Sequence, residues 1–308
     1  MRWPRAAVLA AMLLAGCGTP AALVGGGSGA PQRLQIANGP VAPGPGPRPL
    51  AVDLAAAHDP VVARFHRPPR SGLLFDLDTG RVLWRHDPQR ILPIASLTKM
   101  MTALIVADRL APGARARITR VALRYQGSAV GLLPPGKLVR VQTLLYGLLL
   151  PSGNDAARAL AVRVAGTLGS FVDLMNQRAQ QMGLRCTHYT SADGFYDAGN
   201  HSCAVDLAAE ARAVLDSRRL APIVRTRDTA QPLPIKGGKV YLSNNNPLLR
   251  AGYPGTLGIK TGYTDAAGSC LVAAARRFGH RLGVVLLHSP DTGRQARTLL
   301  DRGFRALR

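Results

Sequence analysis

A serine hydroxyl is a weak nucleophile until a neighbouring base takes its proton. Three short stretches of the 308-residue sequence place hydroxyls beside amines or amides in a way that allows this. The first is Ser96-Leu97-Thr98-Lys99. On a helix the i, i+3 spacing puts both side chains on one face, and a desolvated lysine near a second cation becomes neutral enough to act as a base. A serine at the start of a helix also has backbone N–H groups and the positive dipole end close by, which suits an oxyanion. The second stretch is Ser152-Gly153-Asn154, after Pro151 and before a helical pattern. The third is Lys260-Thr261-Gly262, where Lys260 and Thr261 can donate to a carboxylate or carbonyl. Gly262, on an edge strand, would let a substrate backbone approach closely. Each stretch alone has an ordinary explanation: a helix cap for Ser96, a loop and N-cap for Ser152, a surface lysine for Lys260. Their joint occurrence, at separations of 56 and 108 residues, is the stronger signal.

The elements that must hold these residues are visible as patterns. Residues 72–84 read as two strands around an Asp78-Thr79-Gly80 turn. Residues 96–109 are helical, with Leu97, Met101, Leu104 and Ile105 spaced along them and Pro93 just before. Further helical patterns cover 141–150, 155–164, 170–182 and 204–215. Residues 271–275 and 282–288 read as strands about a turn at 278–280, and a last helix starts near Asp291. Strands at both ends with helices between predict an α+β fold: an antiparallel sheet covered by helices, with a helical lobe inserted.

The three motifs match the set S-x-x-K, S-D-N and K-T-G shared by class A β-lactamases and penicillin-binding proteins. Over about residues 73–304 the chain resembles the D-alanyl-D-alanine carboxypeptidase family of low-molecular-mass, serine-type penicillin-binding proteins. The likeness includes Ile94-Ala-Ser-Leu-Thr-Lys-Met-Met-Thr102, Leu149-Leu-Pro-Ser-Gly-Asn-Asp-Ala156, Phe171-Val-Asp-Leu-Met-Asn176 and Pro254-Gly-Thr-Leu-Gly-Ile-Lys-Thr-Gly-Tyr-Thr264. Gly153 is also the family's residue between the serine and the asparagine, where class A β-lactamases have aspartate. The resemblance implies a β-lactamase/transpeptidase-like fold and removal of the terminal D-alanine from peptidoglycan stem pentapeptides, with β-lactam antibiotics as covalent inhibitors. It implies Ser96 as acylated nucleophile and Lys99 as its base. Ser152 would relay protons to the leaving D-alanine, and Asn154 would bind the substrate amide and steady Lys99. Lys260 would supply positive potential, Thr261 would hold the terminal carboxylate, and the N–H groups of Ser96 and Tyr263 would form the oxyanion hole. Arg294, on the last helix, is the candidate for a carboxylate-binding arginine found in relatives.

Other readings share parts of this pattern. A class A β-lactamase needs a glutamate-bound water, and the only glutamate is Glu210, well after Ser152 with no matching asparagine. A D,D-endopeptidase cutting peptidoglycan cross-links keeps the same motifs and is the main alternative. A non-catalytic wall-binding lipoprotein would not need Ser96, Lys99, Ser152, Asn154, Lys260 and Thr261 all intact.

The N-terminus reads as an export signal. Arg2 and Arg5 precede an apolar stretch, 6–15, too short for the roughly 20 apolar residues of a membrane span. It ends in Leu14-Ala15-Gly16-Cys17, which resembles a bacterial lipobox. That implies a signal peptide over 1–16, a lipidated Cys17, a Gly/Ala/Pro-rich tether over 17–57 and a catalytic domain over 58–308. The expected location is the cell envelope, lipid-anchored on the outer face of a bacterial membrane. Many relatives carry a further β-rich domain and an amphipathic membrane helix; here anchoring is assigned to Cys17 instead. Of the remaining cysteines, Cys186 and Cys203 are the favoured disulfide pair and Cys270, in an apolar run, a buried free thiol. No Cys/His set has zinc spacing, so no metal is expected, and the family resemblance calls for no cofactor.

The net charge of +22 (39 basic residues, 34 of them arginine, against 17 acidic) would suit a polyanionic partner. No run of five basic residues occurs and aromatics are only 5%, so neither a basic tail nor a base-stacking platform is present. With an export signal, this argues against nucleic acid.

Overall fold

The computed structural model describes residues 51–56, 58–195 and 199–308. The signal peptide, Cys17 and most of the tether therefore lie outside the described residues. Residues 51–54, expected within the tether, already lie against the fold. Asp53 N–H donates to the Gly80 carbonyl, and Val52 and Leu54 pack against the core.

Five strands form one antiparallel sheet: β1 (Ser71–Asp76), β2 (Val82–His86), β3 (Thr256–Thr264), β4 (Gly268–Arg277) and β5 (His280–Leu287). Their order is β2-β1-β5-β4-β3, so the strand made last lies in the middle and β3 is an edge. The β1–β2 hairpin is closed as its sequence predicts. Asp76 accepts from the N–H groups of Asp78 and Thr79, and Gly80 takes φ +80°, where a side chain would be strained.

The sheet is covered on both faces, which is why its inner strands read as unbroken apolar runs rather than alternating ones. Alternation still decides which layer each residue enters. On one side Leu74, Leu271, Ala273, Leu282 and Val284 meet Ala296, Leu299, Leu300 and Phe304 of the last helix, Thr292–Ala306. On the other, Leu73, Phe75, Val272, Ala274 and Val285 face the helical lobe. The lobe contains α1 (Lys99–Arg109), α2 (Val141–Leu149), α3 (Asn154–Ala165), α4 (Leu168–Gln181) and α5 (Ala204–Asp216). The last helix is α6. The helix α1 is its axis, packed by α2, α3, α4 and α5, and every residue from Lys99 to Val106 is buried.

One expectation needs correcting in detail. The helical run predicted from residue 96 begins as a 3₁₀ turn, Ala95–Thr98, and becomes α-helix only at Lys99. Ala95 sits at φ +48°, a strained value for a residue with a side chain. No side chain caps either the turn or α1, so Ser96 is not a helix cap.

Candidate active site

The tight turn aims Ser96 along the start of α1. The Lys99 ammonium donates to Ser96 Oγ at 2.8 Å, and to the main-chain carbonyl of Asp193 at 2.6 Å. Lys99 is fully buried, and removal from water drags its ammonium down from about 10.5 to about 7, while the carboxylates of Asp193 and Asp155 pull the other way. A lysine in that state is a usable base at neutral pH.

Ser152 and Asn154 come from the junction of α2 and α3. Ser152 is held at φ +70°, and the N-cap of α3 is Gly153, with no side-chain capping bond. The hydroxyl of Ser152 and Oδ1 of Asn154 are both buried without a partner. Buried polar atoms are almost always hydrogen-bonded, so two orphans two positions apart in sequence mark a place where a ligand would bond. The other end of Asn154 is engaged: Nδ2 donates to the Gln126 carbonyl and the main-chain N–H to the Ser128 carbonyl at 2.8 Å.

Lys260, Thr261 and Gly262 lie on the edge strand β3. Lys260 is buried, donates to the Thr261 carbonyl at 2.7 Å, and is held well below the usual lysine range by burial and by the Lys99 charge. Gly262 is required by closeness: a Cβ there would sit 2.9 Å from the Ile94 carbonyl oxygen and 3.1 Å from Ser96 N. The strand is thus pressed against the nucleophile turn, and the Ser96 N–H lies at that contact. The Tyr263 side chain points to solvent and donates to Asp265.

Arg294 is not drawn into this cluster by any contact. It is the third residue of α6, where the N-cap Asp291 takes both its main-chain N–H and its guanidinium, at 2.9 and 3.2 Å. Its side chain is 80% exposed and borders a cavity of about 500 Å³ with Arg64, His66 and Arg67. Glu210 is also elsewhere, fully buried on α5. It accepts the Tyr189 hydroxyl at 2.5 Å, and burial pushes its carboxyl up to about 8.

Cys186 and Cys203, 17 positions apart, are joined as a disulfide, and Cys270 is buried outside it with its Sγ donating to the Ala267 carbonyl at 3.6 Å. Asp206 brings a carboxylate oxygen within 4.8 Å of the two sulfurs, but it already accepts from the Cys186 N–H and the Thr187 hydroxyl. Among the described residues no helix is long and apolar enough to cross a membrane.

Two participants were not legible from the sequence. Asp193-Gly194 looks like an ordinary turn dipeptide, yet its carbonyl meets Lys99. A Cβ on Gly194, at φ +72°, would fall 2.1 Å from the Ala95 carbonyl oxygen. Asp155, buried beside Asn154, accepts from the N–H groups of Val130, Gly131 and Ala156, and so holds the 126–131 loop over Asn154.

A family described as D-alanyl-D-alanine carboxypeptidase matches residues 63–291. Among characterised relatives, the chain is 34% identical over 244 residues to the D-alanyl-D-alanine carboxypeptidase DacF of Bacillus subtilis, covering 76% of this chain and 62% of that protein. It is 35% identical over 245 residues to DacB2 of Mycobacterium tuberculosis, covering 77% and 82%. The chain thus spans about three-fifths of the Bacillus relative and about four-fifths of the mycobacterial one. Among solved structures, the Streptomyces K15 DD-transpeptidase superposes with a TM-score of 0.74 at 31% identity, over 79% of this chain and 100% of that one. A D-alanyl-D-alanine carboxypeptidase from Mycobacterium tuberculosis gives a TM-score of 0.74 at 33% identity, over 82% and 96%. On these matches, and with the α+β architecture the sequence predicts, the chain belongs to the D-alanyl-D-alanine carboxypeptidase family.

Proposed function

We propose that this protein is a serine-type D,D-carboxypeptidase that removes the last D-alanine of peptidoglycan stem pentapeptides. The observation that carries this reading is the 2.8 Å contact between Ser96 Oγ and the amine of a fully buried lysine. Neutral Lys99 takes the Ser96 proton as Oγ attacks the penultimate carbonyl. The oxyanion so formed is met by the N–H groups of Ser96 and Tyr263. Ser152 relays the proton taken up by Lys99 to the departing D-alanine amine, which leaves an acyl ester on Ser96 and Lys99 neutral again. Water, deprotonated by the same lysine, then releases the shortened peptide. The substrate's free carboxylate is drawn by Lys260 and held by Thr261, and the edge of β3 pairs with the peptide backbone as an added strand. Asn154 holds the substrate amide with the oxygen left without a partner in the fold. A β-lactam presents a ring-strained amide carbonyl in the same place and stays as an ester on Ser96. Arg294 stays the candidate for an arginine that helps bind the carboxylate.

Incubating the full-length protein with a stem pentapeptide ending in D-Ala-D-Ala and following free D-alanine by mass spectrometry tests the reading. Release that is lost in Ser96→Ala and after β-lactam treatment is the expected result. A stable adduct on Ser96 without release would instead favour the endopeptidase reading, and neither release nor adduct would favour a wall-binding protein.

The remainder of the proposal concerns location. A signal peptide at 1–16, lipid on Cys17 and the tether beyond it would hold the catalytic domain, 58–308, in the envelope at the outer face of a membrane. The lipobox-like Leu14-Ala15-Gly16-Cys17 supports this, since two or more acyl chains anchor stably where one does not. Metabolic labelling with a palmitate analogue should mark the protein and should be abolished in Cys17→Ser.

A further inference from the structure

Lys99 is gripped by a segment that lies nearly a hundred residues away in sequence. Along one face of α1, Lys99 donates to the Asp193 carbonyl at 2.6 Å, and Thr102, three residues on, to the Ala192 carbonyl at 2.7 Å. The same segment is wedged against the nucleophile turn at Gly194, and Phe195 lies over Gly127 next to the Asn154 amide. The Asp193 side chain closes the wedge: Oδ1 accepts the Phe195 N–H at 3.0 Å, and Oδ2 faces the Arg158 guanidinium at 3.8 Å. Arg158 is one turn along α3 from Asn154 and is itself braced by donating to the Val121 carbonyl at 3.0 Å.

The charges facing Lys99 are few. Lys260 presents the other ammonium, and Asp155 and Asp193 present carboxylates. Asp155 is saturated by three main-chain N–H groups. Asp193 is different, because its charge is opposed by a half-buried arginine that can be altered without touching the reacting groups.

We propose that Asp193, held by Arg158, is a positioning pair for Lys99, fixing the amine on Ser96 through the loop carbonyl and setting the acid limb of the pH–rate profile through its carboxylate. This rests on the reading of Lys99 as the base. An unopposed carboxylate favours the protonated amine, and Arg158 weakens that effect. Removing the carboxylate and removing the arginine must therefore act in opposite directions.

The test is the pH dependence of kcat/KM for D-alanine release, and of the acylation rate by a fluorescent penicillin, in the full-length protein. In Asp193→Asn, which keeps the carbonyl and an acceptor for Phe195, the acid limb should move down by about half to one pH unit. In Arg158→Gln it should move up by a similar amount, the double variant should follow Asp193→Asn, and Arg158→Lys should restore the original limb. A role limited to loop structure would lower the rates at every pH without separating the limbs, and would overturn the proposal. So would limbs that stay in place. If Asp193→Asn fails to fold, the Arg158→Gln and Arg158→Lys pair decides alone. A parent protein that neither releases D-alanine nor takes up penicillin overturns the functional reading and this one with it, whereas an active parent with unmoved limbs overturns only this one.

Discussion

Lys99 couples chemistry to stability in a single side chain. It works as a base only when neutral, so activity should rise through a limb centred near pH 7 as pH increases. Lys99→Arg keeps a charge that cannot be given up, and should abolish penicillin acylation at every pH. The folding consequence has a definite sign. In the unfolded chain the lysine titrates near 10.5, and in the folded chain near 7, so between those values the unfolded state holds more protons. This group therefore favours folding progressively as pH rises from about 7 to about 10.5, and its full cost falls below 7. Lys99→Met should accordingly melt at a higher temperature than the parent at pH 6 while releasing no D-alanine, which thermal denaturation and the release assay would check together. At this scale the sequence singles out Ser96, Lys99, Ser152, Asn154 and Lys260 because the proposed chemistry needs fixed types at fixed spacings. Asp193 is not singled out, because it contributes a carbonyl, which every residue has. Arg294 is a different case: an arginine on the last helix is easy to find in sequence, and in the structure it is exposed and paired with Asp291, the cap three residues earlier.

Among the elements, the loop from 186 to 203 carries the most consequence for its size. Its disulfide closes 17 residues, its His188–His201 bridge continues the closure, and its tip delivers Asp193 and Gly194 to α1. A cross-link of that span stabilises the folded state by about 3 kcal/mol, chiefly by restricting the unfolded chain. Replacing both Cys186 and Cys203 by serine should lower the unfolding free energy by about that amount in urea titration. The acylation rate should fall further than stability alone explains, because the loop also positions the base. Gly194→Ala tests the tip separately. With a Cβ falling on the Ala95 carbonyl oxygen and a positive φ, it should slow penicillin acylation at least about tenfold while leaving the far-UV circular dichroism unchanged. Periodicity found the hairpin and all the main helices, since each exposes a clear pattern of 2 or 3.6. It placed Ser96 on a regular helix because a 3₁₀ turn and the first turn of an α-helix look alike in a single sequence. The 126–131 loop left no pattern at all; its place is dictated by Asp155 and Asn154 through main-chain contacts.

For the molecule as a whole, sequence patterning reached the architecture but not its order. Strands at both ends with helices between required a sheet shared by the two ends, yet alternation of residues cannot say which strand lies in the middle. The sheet settles that β5, at 280–287, pairs with β1 on one side and β4 on the other. This has a consequence in time. While the chain is being made or threaded through a pore, α1, the Ser152 loop and even Lys260 emerge before the strand that joins β1 to β4. Until about residue 287 is free, the β1–β2 hairpin and the β3–β4 pair have no strand between them to complete the sheet on which α1 and the Ser96 turn pack. A chain ended at residue 279 should therefore show no cooperative calorimetric transition and take up no fluorescent penicillin, although it holds every residue of the three motifs. Placing the last strand at the centre makes arrival of nearly the whole chain the condition for any reactivity, a timer that needs no propeptide.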